Sequence, residues 1–344
     1  MDAPEPSLAQ LGWKPFFSEQ VSPQEHGRCL PARVISVHRG AVTVLGEAID
    51  GSIPSGIAEP TGPENRATVG DWLLIDPASR TIVRILDRTS LFKRPYPSDE
   101  RRIQLIAANV DTLFVVTSCN QDFNVARIER YLVLAGEAGV RPVVVLTKAD
   151  LAPSPEPFLE AARALQAGLQ VELVNGRDPG SVASLAAYCG IGETVALVGS
   201  SGVGKSTLVN TLTGSNSIAT QAVREGDGKG QHTTTVREMH RLGFGEAGGG
   251  WLVDTPGMRE LQMSEVTAGV EEVFDDVLAT TLECRFTNCS HQGEPGCAVQ
   301  AAIADGSLAP ERVARWRKLT QEDAVNTGYA ALRRERFKKP GKRK

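Results

Sequence analysis

The sequence predicts a multidomain protein: an N-terminal OB-type β-barrel, a central α/β domain built on a phosphate-binding turn, and a C-terminal helical module around a Cys/His cluster. Three observations carry that expectation. A glycine-rich turn, Gly199 to Thr207, lies between an apolar strand pattern and a helix pattern. Short β-patterned segments broken by Gly and Pro run from Ala32 to Leu86. Three cysteines and a histidine crowd between Cys284 and Cys297. At 344 residues the chain exceeds one ordinary core, so two or three domains are expected.

Composition narrows the class. Hydrophobic content of 41% and charged content of 23% read as a soluble globular protein. No apolar run approaches the roughly 18 residues of a membrane span. Met1-Asp-Ala-Pro-Glu-Pro6 is acidic and Pro-rich and lacks a signal peptide's apolar core, which points to a cytoplasmic location. Six cysteines are then expected as thiols or metal ligands rather than disulfides. Net charge is −4, yet Arg333 to Lys344 carries eight basic side chains and one acidic, +7 against −11 for the remainder. Overall charge therefore argues against general nucleic-acid binding, while the tail is an electrostatic handle for phosphate backbones.

In chain order, residues 1–30 read as a flexible leader and 31–92 as a small barrel, OB-type in our reading with an SH3-like one the alternative, with Val34, Val37, Val42 and Val44 flanking a turn at Arg39-Gly40. Barrels of this kind often bind RNA, but few aromatics stand in this one. Leu91 to Arg102 is polar, carries Pro95 and Pro97, and reads as a linker. Over 103–275 strands and helices alternate: strands at Asp111–Val116, Pro142–Leu146 and Val171–Val174, and helices at Ala126–Glu137, Phe158–Ala167 and Val182–Tyr188. Such alternation implies a mostly parallel sheet covered on both faces. Residues 276–332 read as helical and 333–344 as a basic tail.

The chemistry is concentrated in a few runs. Gly199, Ser200, Ser201, Gly202, Val203, Gly204, Lys205, Ser206 and Thr207 form a P-loop whose glycines let consecutive N–H groups point at phosphate oxygens. Lys205 would reach the outer phosphates and the Ser206 hydroxyl would hold Mg²⁺. Asp254, ending the strand Trp251–Val253, would also orient Mg²⁺, and Gly257 would offer its N–H to a γ-phosphate. Between them lies Gly230-Gln-His232-Thr-Thr234-Thr235, from which a threonine, Thr234 in our assignment, would cap the Mg²⁺. Upstream, Thr147, Lys148, Ala149 and Asp150 close a strand. A carboxylate there accepts both N1–H and N2–H of guanine, a pair adenine does not offer. Asn is the usual first residue of that motif, so Thr147 is expected to weaken one loop-bracing or base contact. Asn175-Gly176 is the candidate loop behind the base. Cys284, Cys289, His291 and Cys297 supply three thiolates and an imidazole, a closed tetrahedral set suited to structural zinc.

The order of these runs is informative. Guanine motif, P-loop, threonine switch and Asp-x-x-Gly is a circular permutation of the usual GTPase order, leaving the sheet intact while moving the termini. The predicted fold class is thus an OB-type barrel, a circularly permuted P-loop GTPase domain and a helical zinc-binding domain. With the barrel, the permuted order and Cys-x4-Cys-x-His-x5-Cys together, residues 30 to 320 resemble the bacterial small-ribosomal-subunit-dependent GTPase A (RsgA, or YjeQ) family. Gly230 to Thr235 matches that family's switch I, and the Cys/His set its zinc ligands. The resemblance implies a monomeric late-stage small-subunit maturation checkpoint, bound to ribosomal RNA through barrel and zinc domain, that leaves after hydrolysing GTP.

Met258 follows Asp-x-x-Gly where a water-orienting Gln would stand, so low intrinsic turnover is expected. The activating group must come from elsewhere, either from His232 in the switch or from RNA. The alternatives are an RNA-binding scaffold that keeps guanine nucleotide as a structural ligand, and an ATP-using P-loop enzyme, which Asp150 disfavours.

Overall fold

Val42 and Val44 bury one face of a short strand while their neighbours face outward, and this alternation organises the N-terminal part. The computed structural model describes residues 6–56, 65–96, 99–214, 237–243, 249–254 and 266–338. After a one-turn helix, α1 (Pro15–Ser18), come β1 (Leu30–His38), β2 (Ala41–Leu45), β3 (Asp50–Pro54), β4 (Trp72–Asp76) and β5 (Thr81–Ile85). They are antiparallel in the order β3-β2-β1-β4-β5. Ala32, Val34, Ile53, Leu73, Ile75 and Ile82 form their shared core.

Two expectations fail here. Leu91 to Arg102 is not a linker: β6 (Leu91–Tyr96) and β7 (Asp99–Ala108) make an antiparallel hairpin. Pro95 is compatible because both strands of a two-stranded ribbon keep an outer edge, where a missing N–H costs little. Nor are residues 6–30 a flexible leader. Leu11 and Phe17 are buried, and the Trp13 ring meets Trp72 edge-on at 4.8 Å. Lys14 Nζ lies 2.5 Å from Asp111, and Trp251 Nε1 donates to the Gln10 carbonyl at 2.8 Å. The segment is a strap across the N-terminal strands and the α/β layer, held by isolated large side chains that leave no periodic signature. Arg33, fully buried, fastens it by donating to the carbonyls of Leu11 and Asn109 and to Thr194 Oγ1. Burial lowers its pKa to about 10, opposed by Asp111 and Asp71, so the guanidinium stays charged at neutral pH.

The α/β layer contains β8 (Thr112–Ser118), α2 (Val125–Glu137), β9 (Arg141–Thr147), α3 (Glu156–Arg163), β10 (Gln170–Leu173) and α4 (Pro179–Val182), then β11 (Thr194–Val198), α5 (Lys205–Thr213), β12 (Arg237–Arg241) and β13 (Trp251–Asp254). The helix expected over Val182–Tyr188 is mostly a 3₁₀ segment, Ala183–Tyr188. Every residue of β8 is buried, as helices on both faces require. Strands β10, β9, β8, β11 and β13 run parallel in that order, and β12 is antiparallel to β13. Strand β12 also pairs with β1, Ser36 opposite Glu238 and Val37 opposite Arg237, so N-terminal and α/β strands form one sheet of eleven.

Four helices complete the described chain: α6 (Thr267–Val273), α7 (Asp275–Thr281), α8 (Ala298–Asp305) and α9 (Pro310–Lys338). Gly269 lets α6 cross α2 closely, since a Cβ there would sit 1.9 Å from the Val133 carbonyl oxygen. Helix α9 runs on to Lys338, so the first half of the supposed tail is helical; residues 339–344 lie outside the described residues. It docks on α2 through Glu129, whose fully buried carboxylate meets Arg315 Nε at 2.5 Å and Arg312 Nη1 at 3.3 Å. Arg312 also pairs with Asp276 at 2.6 Å, and Arg130 with Glu322 at 2.7 Å. Among the described residues no helix is long and apolar enough to cross a membrane.

Candidate nucleotide site and metal cluster

Strand β11 lies between β8 and β13, and its C-terminal end opens into the turn Gly199–Gly204. Gly199 has φ +145, and a Cβ on it would fall 2.2 Å from the Val116 carbonyl oxygen, so β8 and the turn tolerate no side chain there. Helix α5 starts at Lys205, whose Nζ donates to the Gly199 carbonyl at 2.8 Å and to that of Ser200. Ser206 and Thr207, in the first turn of α5, are half-buried, while Ser201 and Gly202 are exposed at the rim. Backbone N–H groups, a helix N-terminus and an ammonium group are the chemistry an anion cradle needs.

The loop after β9 reaches the same end of the sheet. The buried Thr147 hydroxyl donates to the Val203 carbonyl inside the turn and, at 3.0 Å, to that of Thr117. Thr147 thus braces the loop against the turn through its own hydroxyl. Lys148 has a left-handed backbone (φ 56), which turns the chain so that Ala149 is half-buried and Asp150 exposed. Behind it, Gly176 accepts from Thr211 of α5 at 2.6 Å, and Asn175 Oδ1 accepts from Arg177 N–H at 3.0 Å. Asp254 ends β13, opposite Glu238 of β12 and one residue beyond the Ala196–Val253 pair with β11. His232, Thr234, Gly257 and Met258 lie outside the described residues.

One contact at this site was not anticipated. Arg127, on α2, donates from Nη1 to the Ser200 hydroxyl. The available sequence signal was a basic residue in the first turn of a helix that follows a strand adjoining the P-loop strand.

At the other functional centre, the ligand atoms of Cys284, Cys289, His291 and Cys297 all lie within 4.8 Å of one another. Cys284 Sγ is 3.4 Å from His291 Nδ1 and 4.0 Å from Cys297 Sγ. A tetrahedral metal with bonds of about 2.3 Å needs edges of about 3.7 Å, and the cluster fits. Gln300 Nε2 donates to the His291 carbonyl at 2.7 Å, and Arg317 donates to the same oxygen. Burial and then the Arg317 charge lower the His291 pKa, favouring the neutral imidazole that a metal binds. Against desolvation, the Ala298 and Val299 amides at the start of α8 lower the Cys284 thiol.

Residues 85–264 match the family model described as RsgA GTPase. The chain belongs to the RsgA GTPase family. It is 50% identical over 328 residues to "Small ribosomal subunit biogenesis GTPase RsgA" of Mesorhizobium japonicum, covering 94% of this chain and 92% of that one. A Vibrio vulnificus relative, "Small ribosomal subunit biogenesis GTPase RsgA 2", is 45% identical over 336 residues, 98% of this chain and 93% of its own. Among solved structures, YjeQ from Thermotoga maritima matches with TM-score 0.60 and 25% identity over 86% of this chain and 98% of its own. YloQ, titled a circularly permuted GTPase, matches with TM-score 0.59 and 25% identity, covering 86% and 96%. The permuted GTPase architecture is thus that of the family, whose members are named as GTPases, a class of hydrolases.

Proposed function

We propose that this chain hydrolyses GTP while bound to the small ribosomal subunit, as a cytoplasmic, monomeric checkpoint of late subunit maturation, and that the subunit stimulates the hydrolysis that releases it. The observation that carries the reading is the Thr147 bond to Val203, which ties a guanine-type loop to a phosphate cradle at one end of the sheet. In this reading Gly199 to Thr207 hold the phosphates, Thr147 to Asp150 the base, and Ser206, Thr234 and Asp254 the Mg²⁺. His232 or RNA orients water in place of the Gln that Met258 replaces. The metal at Cys284, Cys289, His291 and Cys297 is one structural zinc ion.

The five N-terminal strands serve as an OB-type barrel and, with the zinc module and basic C-terminus, face ribosomal RNA. The domain assignments 31–92, 103–275 and 276–332 are kept as regions, with the hairpin of β6 and β7 bridging the first two. GTP turnover with and without purified small subunits, at low and high salt, tests the reading, with His232→Ala alongside. A large subunit-dependent rise that high salt abolishes is expected; loss of the rise in the variant assigns His232 the water. Equal turnover with and without subunits would overturn the stimulated-GTPase reading. Tight guanine-nucleotide binding without turnover would favour a scaffold, to which the apolar Met258 already lends some weight.

A further inference from the structure

Arg127 lies beside the P-loop turn, lining one small cavity with Ser200 and Asp122. The next two charged residues on α2, Glu129 and Arg130, are both held in ion pairs with α9. Arg127 is exposed and forms no ion pair among the described residues; its guanidinium reaches the second residue of the P-loop turn, Ser200. Ser200 is also where Lys205 rests, through its carbonyl. Two cations from different elements thus converge on one residue of the turn. The Asn124 side chain caps α2 by accepting from the Arg127 N–H at 2.9 Å, which fixes where the long side chain is rooted.

The helix end sets Arg127 against the dipole. The first turn of α2 holds no acidic residue but does hold Arg127, the opposite of what the helix dipole favours. That arrangement is unfavourable alone and becomes favourable when an anion lies within reach. The anion this site takes, on the reading above, is the triphosphate. A planar guanidinium contacts two phosphoryl oxygens at once, which a single ammonium group does not.

We propose that Arg127 is a catalytic residue supplied in cis, leaving Ser200 to contact the terminal phosphoryl group of bound GTP. Water oxygen attacks the γ-phosphorus, the bond from that phosphorus to the β–γ bridging oxygen breaks, and the electron pair stays on GDP. The water proton leaves with inorganic phosphate. Arg127 remains protonated throughout and offsets charge on the outgoing and equatorial oxygens. Its role is additional to that of the water-orienting group.

This inference rests on the GTPase reading, so the experiment separates the two. Full-length protein and its Arg127→Ala and Arg127→Lys variants are compared for GTP turnover with small subunits, for binding of fluorescent GDP, and for tightening of GDP by aluminium fluoride. Arg127→Ala should lower kcat by roughly 10²-fold or more while the GDP Kd stays within about threefold. It should also lose the aluminium fluoride effect, and Arg127→Lys should recover part of both. Unchanged kcat with intact aluminium fluoride binding in Arg127→Ala overturns the proposal. So does a parallel fall in turnover and GDP affinity, which would reduce Arg127 to a brace on Ser200. Wild-type protein that binds no guanine nucleotide would instead remove the GTPase reading itself, and the proposal with it.

Discussion

Replacing Glu129 by glutamine removes one negative charge from the contact between α2 and α9 and leaves its shape nearly intact. The carboxylate is fully buried, while Arg312 and Arg315 are 13% and 25% exposed. Breaking a buried pair by deleting one partner costs about 3–5 kcal/mol when the remaining charge is stranded. Here neither arginine is wholly stranded: Arg312 keeps Asp276 at 2.6 Å, and Arg315 can turn toward solvent. The expected loss is therefore about 2–3 kcal/mol, borne by the docking of α9 and not by the central sheet. Hydrogen exchange reads this locally, where a single melting temperature for a multidomain chain would not. Amides of 310–328 should exchange about 30- to 150-fold faster in the variant, with β8 and β11 unchanged. Protection in α9 unchanged within about twofold would refute the reasoning and make α9 an apolar dock, held by Trp316 and Leu319.

Other consequences follow from the same geometry. Removing the metal with a chelator, or Cys284→Ser, should release one zinc ion per chain by elemental analysis and expose α7 and α8 to proteolysis. Retention of metal in Cys284→Ser would contradict the ligand set. Thr147→Val keeps volume but strips the Val203 carbonyl of its donor, and should weaken guanine-nucleotide binding by about 1–2 kcal/mol in titration calorimetry. Equal affinity would show that the brace is dispensable. The Glu25 carboxyl is lowered from 4.5 to about 2, chiefly by its hydrogen bond from Arg84. A folded-state pKa below the unfolded one gives stability that is present above about pH 4.5 and lost as pH falls toward 2. Exchange protection of residues 20–29 should fall across that window in wild type and stay flat in Glu25→Gln.

Short-range patterns made much of the architecture legible. The P-loop declared itself because Gly199, Lys205 and their strand and helix flanks are consecutive, and the Cys/His cluster because its ligands span so few residues. The α/β alternation was legible because buried parallel strands such as β8 are continuous apolar runs. What escaped has its information elsewhere in the chain. Leu11, Trp13 and Phe17 are scattered apolar residues until Trp72 arrives to meet them. Leu91–Arg102 reads as polar although its hairpin buries Phe92 with Leu105 and Ile106, whose partners lie on the other strand. Glu129 sits in an amphipathic pattern that gives no hint that it is interior, because its partners are on α9.

The seam between β1 and β12 has a consequence for the order in which the protein is made. One edge of β1 is used twice, by β4 along residues 30–33 and by β12 at Ser36 and Val37. The ribosome delivers β4 early, but β12 emerges only after β8, β9, β10 and the P-loop helix. Throughout that interval the nascent chain carries an open strand edge at positions 36–37, the kind of edge to which foreign strands add. Among the described residues two pairs then close it, and the stitch forms only after β12 has emerged. Chaperone engagement during synthesis should therefore end when Arg241 clears the exit tunnel, and not when the N-terminal strands do.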